Sequence, residues 1–274
     1  MKKLIALFLS AVMCAALLSG CGGGETDEEN KLSGVVNTDG STSMDKVVKG
    51  LAEVFMGENT GVTVNYTGSG SGAGVEAVLS GTADIGLASR GLKEQETAEG
   101  AMAHVIALDG VAVIIHPENS VTDLSAEQIA KIFTGEISNW SELGGEDTVI
   151  AVYGREAGSG TRSAFEEIVD VVDKCAYINE YSSTGDMVGA VAGNPNAIGY
   201  ASLASVNESV KTVKVNGVDC TEETIKDGSY QIQRPFVMIT KEGVALSDAA
   251  QAFLDYAKSE AAAEIIALAG AVAP

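Results

Sequence analysis

From residue 32 onward the chain alternates between two spacings of apolar residues. "LSGVVNTDG" (32–40) reads as a short strand running into a Gly-containing turn. In "STSMDKVVKGLAEVFMGEN" (41–59) apolar residues fall at 44, 47, 48, 51, 54 and 55, the spacing of one helix face. "GVTVNYTG" (61–68) alternates with β-branched residues and predicts a strand. "GAGVEAVLSG" (72–81) predicts a short helix, and "ADIGLAS" (83–89) a strand. "HVIALDGVAVIIHPEN" (104–119) is a long apolar strand pattern, with a break expected near Asp109 and Gly110. "SAEQIAKIFTGEISNWSEL" (125–143) opens with a capping box from Ser125 to Gln128 and stops at Gly135. Then come a strand in "TVIAVYGRE" (148–156), helix, Asn-Pro turn and strand in "TGDMVGAVAGNPNAIGYASL" (184–203), and a strand in "YQIQRPFVMIT" (230–240). One long closing helix is expected over 246–270. Strands alternating with helices predict an α/β fold whose mostly parallel sheet carries helices on both faces. The length suits one large domain or two lobes.

The first 20 residues stand outside this pattern. Lys2 and Lys3, an apolar run from Leu4 to Leu18 and small residues ending at Cys21 make a secretory signal. The run is too short for a permanent membrane span. "LSGC" (18–21) resembles the lipobox of bacterial lipoproteins, which implies that Cys21 becomes the lipidated (palmitate-bearing) first residue. The Gly-rich and acidic segment that follows, to residue 31, reads as a flexible tether. Beyond it no apolar run is long enough to cross a membrane, and "AAAEIIALAGAVAP" at the C-terminus is broken by Glu264. The body is therefore expected outside the cytoplasm, held to the cell membrane by lipid.

The chain has 17 Lys and Arg against 38 Asp and Glu, a formal net charge of −21. No basic footprint for nucleic acid exists, nor one for loose adhesion to anionic lipid. Cys175 and Cys220 remain after the leader; they are equally readable as one disulfide or as two buried thiols. His104 and His116 are the only histidines, and no C-x-x-C occurs. No metal site and no cofactor are expected.

Three hydroxyl-rich turns carry the candidate chemistry: "DGSTSM" (39–44), "GSGSGAG" (68–74) and "GSGT" (158–161). A helix start leaves backbone N–H groups unpaired and carries partial positive charge; glycines admit close approach, and Ser and Thr add donors. Such a turn suits a phosphate-like oxyanion. One alone is more often an ordinary cap, but here there are three, with Arg155 just upstream of the third. Arg155 is either a bidentate, permanently charged anion contact or a surface ion-pair partner. "GSGSGAG" lacks the Lys of a nucleotide-hydrolysing loop. No G-x-S-x-G elbow is present, and both histidines lie in or beside an apolar strand run. A nucleophile–base pair therefore cannot be assembled.

"GSTSM", "NYTGSGSGAGVEAV", "ADIGLASRGL", "REAGSGTRSAF" and "NPNAIGYASL" occur in this order. Together they closely resemble the phosphate-binding lipoproteins of high-affinity phosphate ABC importers (PstS type), over nearly everything from Leu32 to the C-terminal helix. The resemblance implies a two-lobed, type II-like periplasmic-binding-protein fold, each lobe a mixed, mostly parallel sheet flanked by helices. Lobe one would hold 32–111 and 236–274, lobe two 112–235, with "VIALDGVAVIIHP" and "IQRPFVMIT" as crossing hinge strands. It implies inorganic phosphate as ligand, a permease heterodimer with a cytoplasmic ATPase as partner, and a monomeric receptor without enzymatic activity. Carried over block by block, the contacts would be Thr42, Ser43, Ser71, Arg155, Ser159, Gly160 and Thr161. One position departs: where well-known members place an Asp that reads the proton of hydrogen phosphate, this chain has Ser89, followed by Arg90 as a second possible cation. Asp39 or a backbone carbonyl is then the expected proton acceptor. The alternatives are a receptor for sulfate or molybdate, a secreted phosphoester hydrolase using Ser43 or Ser159, and a phosphate sensor or adhesin on the same fold.

Overall fold

The structure, a computed structural model, describes residues 31–274. The signal segment, Cys21 and nearly all of the tether lie outside the described residues.

Strand β1 (Ser33–Gly40) pairs in parallel with β2 (Gly61–Thr67) and, at its C-terminal end, with β3 (Ile85–Ala88). Between β1 and β2 runs helix α1 (Asp45–Glu58), whose Val47, Val48, Leu51, Ala52 and Phe55 are buried. These positions recur every three to four residues and face the sheet; each fully buried side chain contributes about 1.5–3 kcal/mol relative to exposure. Val54, which the pattern also put on that face, is 39% exposed. The helix does not begin directly at the first hydroxyl-rich turn. A 3-10 turn, Thr42–Met44, comes first and lets α1 start at Asp45. Helix α2 (Ser71–Ser80) joins β2 to β3, and the short α3 (Glu94–Ala98) follows.

Strand β4 (Ala101–Ile115) does not break at Asp109 and Gly110. It changes partner there instead: residues 101–110 pair with β10 (Gln233–Lys241), and residues 111–115 pair with β8 (Ala197–Ser202). A Cβ on Gly110 would lie 2.6 Å from Cys220 Sγ and 2.7 Å from Ile225 Cδ1. The glycine thus serves close packing and does not terminate the strand.

The middle of the chain builds a second α/β unit. After β5 (Asp123–Leu124), α4 (Ala126–Phe133) carries the expected capping box: Gln128 N–H donates to Ser125 Oγ at 3.1 Å, and Ser125 N–H to Gln128 Oε1 at 2.8 Å. Strand β6 (Ala151–Arg155) leads to α5 (Gly160–Ile168). Strand β7 (Asn179–Tyr181) leads to α6 (Thr184–Ala192), which returns to β8; β9 (Lys211–Val215) and α7 (Glu222–Lys226) precede β10.

Strand order is β2-β1-β3-β10-β4-β8-β6-β7, with β9 beside β4 and β5 beside β9. Pairing is parallel in β2-β1-β3 and β8-β6-β7, and antiparallel wherever β4 or β10 meets another strand of that order. The sheet is therefore mixed. Core residues divide accordingly. One cluster gathers residues between Val36 and Ala107 with others between Phe236 and Ala271, a small one gathers Val75, Val78, Ala88, Ala101, Val237 and Ile239, and the largest gathers Val111 to Ile232 with Val272. The expected single closing helix is two: α8 (Asp248–Ala257) and α9 (Ala263–Leu268), separated by a 3-10 turn after Ser259, whose backbone is extended. Ser259 Oγ donates to Tyr256 C=O at 2.7 Å, the kind of local side-chain bond that interrupts a helix.

Candidate functional site

At the C-terminal ends of β1, β2 and β6 the chain turns into helices, and those turns face one another beside Ser89 at the end of β3. Ser41, Thr42, Ser43, Gly70, Ser71, Ser89, Arg155, Ser159, Gly160 and Thr161 line one tight, partly open cavity, with about 120 Å³ of free space between them and the adjoining solvent. Of the nine residues expected at the site, eight line it. Ser43, Ser71, Ser89, Arg155, Ser159 and Thr161 are each no more than 2% exposed. So many buried hydroxyls beside a buried guanidinium, with no apolar side chain lining the space, give it a wholly polar lining suited to a small anion.

The two halves of the sheet meet across this cavity through direct bonds. Ser43 Oγ and Thr161 Oγ1 lie 2.8 Å apart, and Gly72 N–H donates to Gly158 C=O at 3.0 Å. Ser71 Oγ accepts from Ser89 N–H at 3.1 Å, which ties α2 to the end of β3. Gly160 is where the approach is closest. A Cβ there would strike Ser71 Oγ and lie 2.9 Å from both Ser71 Cβ and Ser89 Oγ, so only a residue without a side chain fits. Ser159 caps α5 by accepting from Arg162 N–H at 3.3 Å.

Arg155 ends β6 at 1% exposure, and its fork is held from several sides. Nε donates to Tyr181 C=O at 2.9 Å, Nη1 to Thr184 Oγ1 at 2.9 Å, and Nη2 to Ser182 C=O at 3.0 Å and Thr42 Oγ1 at 3.2 Å. The neighbouring Glu156 carboxylate accepts from Nη2 at 3.1 Å. The ion-pair reading of Arg155 is thus met in part, by a partner that leaves the guanidinium beside the cavity.

Arg90 is not brought to the cavity. Its guanidinium forks the Glu96 carboxylate at 2.6 and 2.8 Å and donates to Gly91 C=O at 2.8 Å. Burial pushes the Glu96 carboxyl up, but the Arg90 fork and the Lys93 N–H outweigh it and hold the group below its ordinary value. Asp39, considered as the acceptor of a ligand proton, does not line the cavity; its carboxylate accepts from Ser69 Oγ. No His, Asp or Glu lines the space. His104 pairs instead with Thr240 Oγ1 at 2.8 Å, and His116 Nδ1 accepts from Glu118 N–H at 3.2 Å. Cys175 and Cys220 are free thiols, and among the described residues no His/Cys/Asp/Glu cluster could hold a metal ion.

Sequence reasoning missed two residues. Ser41 lines the cavity at 2% exposure. Thr184, at the first turn of α6 and 2% exposed, bonds to Thr42, Ser43 and Arg155 together. The signal was present: "SSTGD" (182–186) is a fourth turn with hydroxyl residues before a helix, following a strand. Beside Thr42, a groove at the surface is lined by Lys46, Lys49 and Tyr66 from one half and Ser183, Ser205 and Asn207 from the other. Asp45 lines it too and pairs with Lys49 at 2.6 Å, so the groove sets both signs of charge next to the cavity.

A family model described as PBP superfamily domain matches residues 25–261. The chain is 33% identical to the phosphate-binding protein PstS of Bacillus subtilis (strain 168), over 94% of this chain and 89% of that one. A Clostridium perfringens crystal structure, assigned as a phosphate ABC transporter substrate-binding protein with bound phosphate, superposes with a TM-score of 0.85 at 40% identity. It covers 88% of this chain and is itself covered completely (100%). An ABC-type phosphate transport receptor from Vibrio cholerae gives a TM-score of 0.72 at 34% identity, covering 87% of this chain and 100% of its own.

Proposed function

Because this chain belongs to the PBP superfamily and, within it, to the PstS-type phosphate-binding proteins, we propose that it captures inorganic phosphate in the hydroxyl-lined cavity and delivers it to an ABC importer. The observation that carries this is the convergence of three turns and one buried arginine on a single small space. Thr42, Ser43, Ser71, Ser89, Ser159 and Thr161 offer hydroxyls, Gly160 gives the backbone its approach, and Arg155 supplies the charge. Arg90 serves the fold by holding Glu96 and stays out of the contact set. Hydrogen bonds from fixed donors to an ionised guest are each worth about 1.5–3 kcal/mol, so a handful suffices for tight capture.

Capture by closure needs two lobes, and we assign them as 32–111 with 236–274 and 112–235, hinged at β4 and β10. The division of the core supports this, with the largest cluster in the second lobe (joined by Val111 and Val272) and the other two in the first, as does the change of partner along β4. A guest favours the closed arrangement only through contacts it makes there, and the close approach of Gly160 to Ser71 and Ser89 lets donors of both halves reach one guest. Lipidation at Cys21 would hold a monomeric receptor at the membrane beside a permease heterodimer and its ATPase. Among the described residues no helix is long and apolar enough to cross a membrane.

Catalysis finds no support at the cavity. Ser43 faces Thr161 and Thr184, and Ser159 caps its own helix; neither has a base within reach. Selectivity must also work without a carboxylate in the lining. The amphoteric hydroxyls of Ser71 and Ser89, 3.3 Å apart, take the place of Asp39 as acceptors for a proton on the ligand.

Calorimetric titration of the chain from Gly22 with phosphate, arsenate, sulfate and molybdate tests this. Tight binding of phosphate and arsenate with weaker sulfate is expected. Equal affinities would refute the selectivity, and no heat with any oxyanion would refute the receptor. A phosphatase assay on the same preparation separates receptor from hydrolase.

A further inference from the structure

We infer that Thr184 is a positioning residue for anion capture: it sets the orientation of Arg155 and the proton direction of the hydroxyls that meet the guest. The inference rests on the phosphate-receptor reading above. Thr184 is outside the cavity lining, yet its side chain and backbone reach three of the residues that form it.

The argument is one of donors and acceptors. A hydroxyl has one proton and two lone pairs. Thr42 Oγ1 accepts from Thr184 N–H at 3.2 Å and from Arg155 Nη2 at 3.2 Å, which fills both lone pairs. Its single proton is therefore available to donate, to Thr184 Oγ1 at 3.1 Å or to a guest in the cavity. Thr184 Oγ1 accepts from Arg155 Nη1 at 2.9 Å and can pass its own proton to Ser43 Oγ at 3.1 Å. Ser43 in turn can donate to Thr161 Oγ1 at 2.8 Å, which leaves the Thr161 proton for the guest. The chain Arg155, Thr184, Ser43, Thr161 then runs in one sense, each member polarising the next, and ends as a donor aimed into the cavity. Buried almost completely, these groups have little water with which to reorient. Thr184 also connects the two halves: it belongs to α6 in the second, while Thr42 and Ser43 belong to the turn after β1 in the first.

Thr184→Val keeps the shape and the backbone N–H but removes the hydroxyl. Measured by calorimetry with inorganic phosphate on the chain from Gly22, which retains the whole compact unit Leu32–Pro274, it is expected to weaken Kd by about 10-fold or more, the size of one charge-assisted bond. Thr184→Ser, which restores the oxygen, is expected within about 3-fold of the parent, since the wiring needs only the hydroxyl. A double-mutant cycle separates positioning from general damage. In an Arg155→Lys background, which cannot present Nη1, Thr184→Val should change Kd by less than about 2-fold. Additive effects in the cycle, parent-like binding by Thr184→Val, or failure of Thr184→Ser to restore binding would each overturn the inference. If the unmutated chain binds no phosphate, the receptor reading itself falls; if it binds and only the Thr184 variants behave normally, that reading stands and Thr184 alone is refuted.

Discussion

Replacing Gly160 by Ala adds one carbon at the closest approach between the two halves. That carbon would strike Ser71 Oγ and stand 2.9 Å from Ser89 Oγ and Ser71 Cβ, where ordinary contact needs 3.4 Å or more. Ser71 cannot simply rotate away, because its Oγ accepts the Ser89 N–H from the end of β3. The halves must separate by a few tenths of an ångström or more, and bonds across the interface lengthen with them. Those at risk include Ser43 to Thr161 at 2.8 Å and Gly72 N–H to Gly158 C=O at 3.0 Å. If two donors lose a charged guest at about 1.5–3 kcal/mol each, the loss is about 3–6 kcal/mol, or ~10²–10⁴ in Kd. Folding should respond much less, because the halves can part slightly while each keeps its own core. Gly160 is helical, at the start of α5 and without a positive φ. Alanine is favoured over glycine by about 1 kcal/mol in a helix interior and by less at this first position, which offsets part of the interface loss. We therefore expect Gly160→Ala to melt within a few degrees of the parent temperature while phosphate titration shows little or no heat. Scanning fluorimetry and calorimetry on one preparation read both. An alanine variant that binds phosphate within about 3-fold of the parent would refute the claim that capture depends on this contact, since the clash predicts at least a hundredfold loss.

Two further outcomes follow from particular side chains. Because the folded Glu96 carboxyl is held below its ordinary value of 4.5, the Arg90–Glu96 contact stabilises the fold at pH above that value, and the stabilisation is lost as pH falls through the lowered one. Glu96→Gln should accordingly lower the melting temperature at neutral pH, with the gap to the parent closing in acid; a gap that never narrows as the pH is taken down through the acid range would contradict the assignment. Burial pushes the Cys175 thiol up to about 11 and the Cys220 thiol up to about 12. Both should resist alkylation at pH 8 in the folded protein and react promptly in guanidinium, as followed by mass spectrometry, and rapid native labelling of Cys220 would show that its burial is wrong.

Much of this molecule was legible in the chain because its signals are local. The helix face of α1, the capping box of α4 and the alternation of β2 each depend on residues a few positions apart, and each recurs in the structure. The three hydroxyl-rich turns announced themselves through the chemistry of helix starts, and they do meet. What failed locally failed for tertiary reasons. Asp109 and Gly110 look like a break, but β4 continues because β8 and β9 take up its edges beyond that point. Asp109 is then buried completely, accepting from Arg234 at 2.9 and 3.0 Å and from Ser202 at 2.7 Å.

By itself, then, the sequence determined the kind of elements, their order and the chemistry of the turns, since propensity, spacing and capping act over a few residues. Only the tertiary structure decided which cations and hydroxyls share a space. Arg90 and Arg155 read alike along the chain, yet Glu96 removes one from the cavity while Tyr181 and Ser182 carbonyls hold the other beside it. Thr184 entered for the same reason: contacts between residues more than a hundred positions apart are set by how strands are ordered in the sheet, and no local pattern encodes that order.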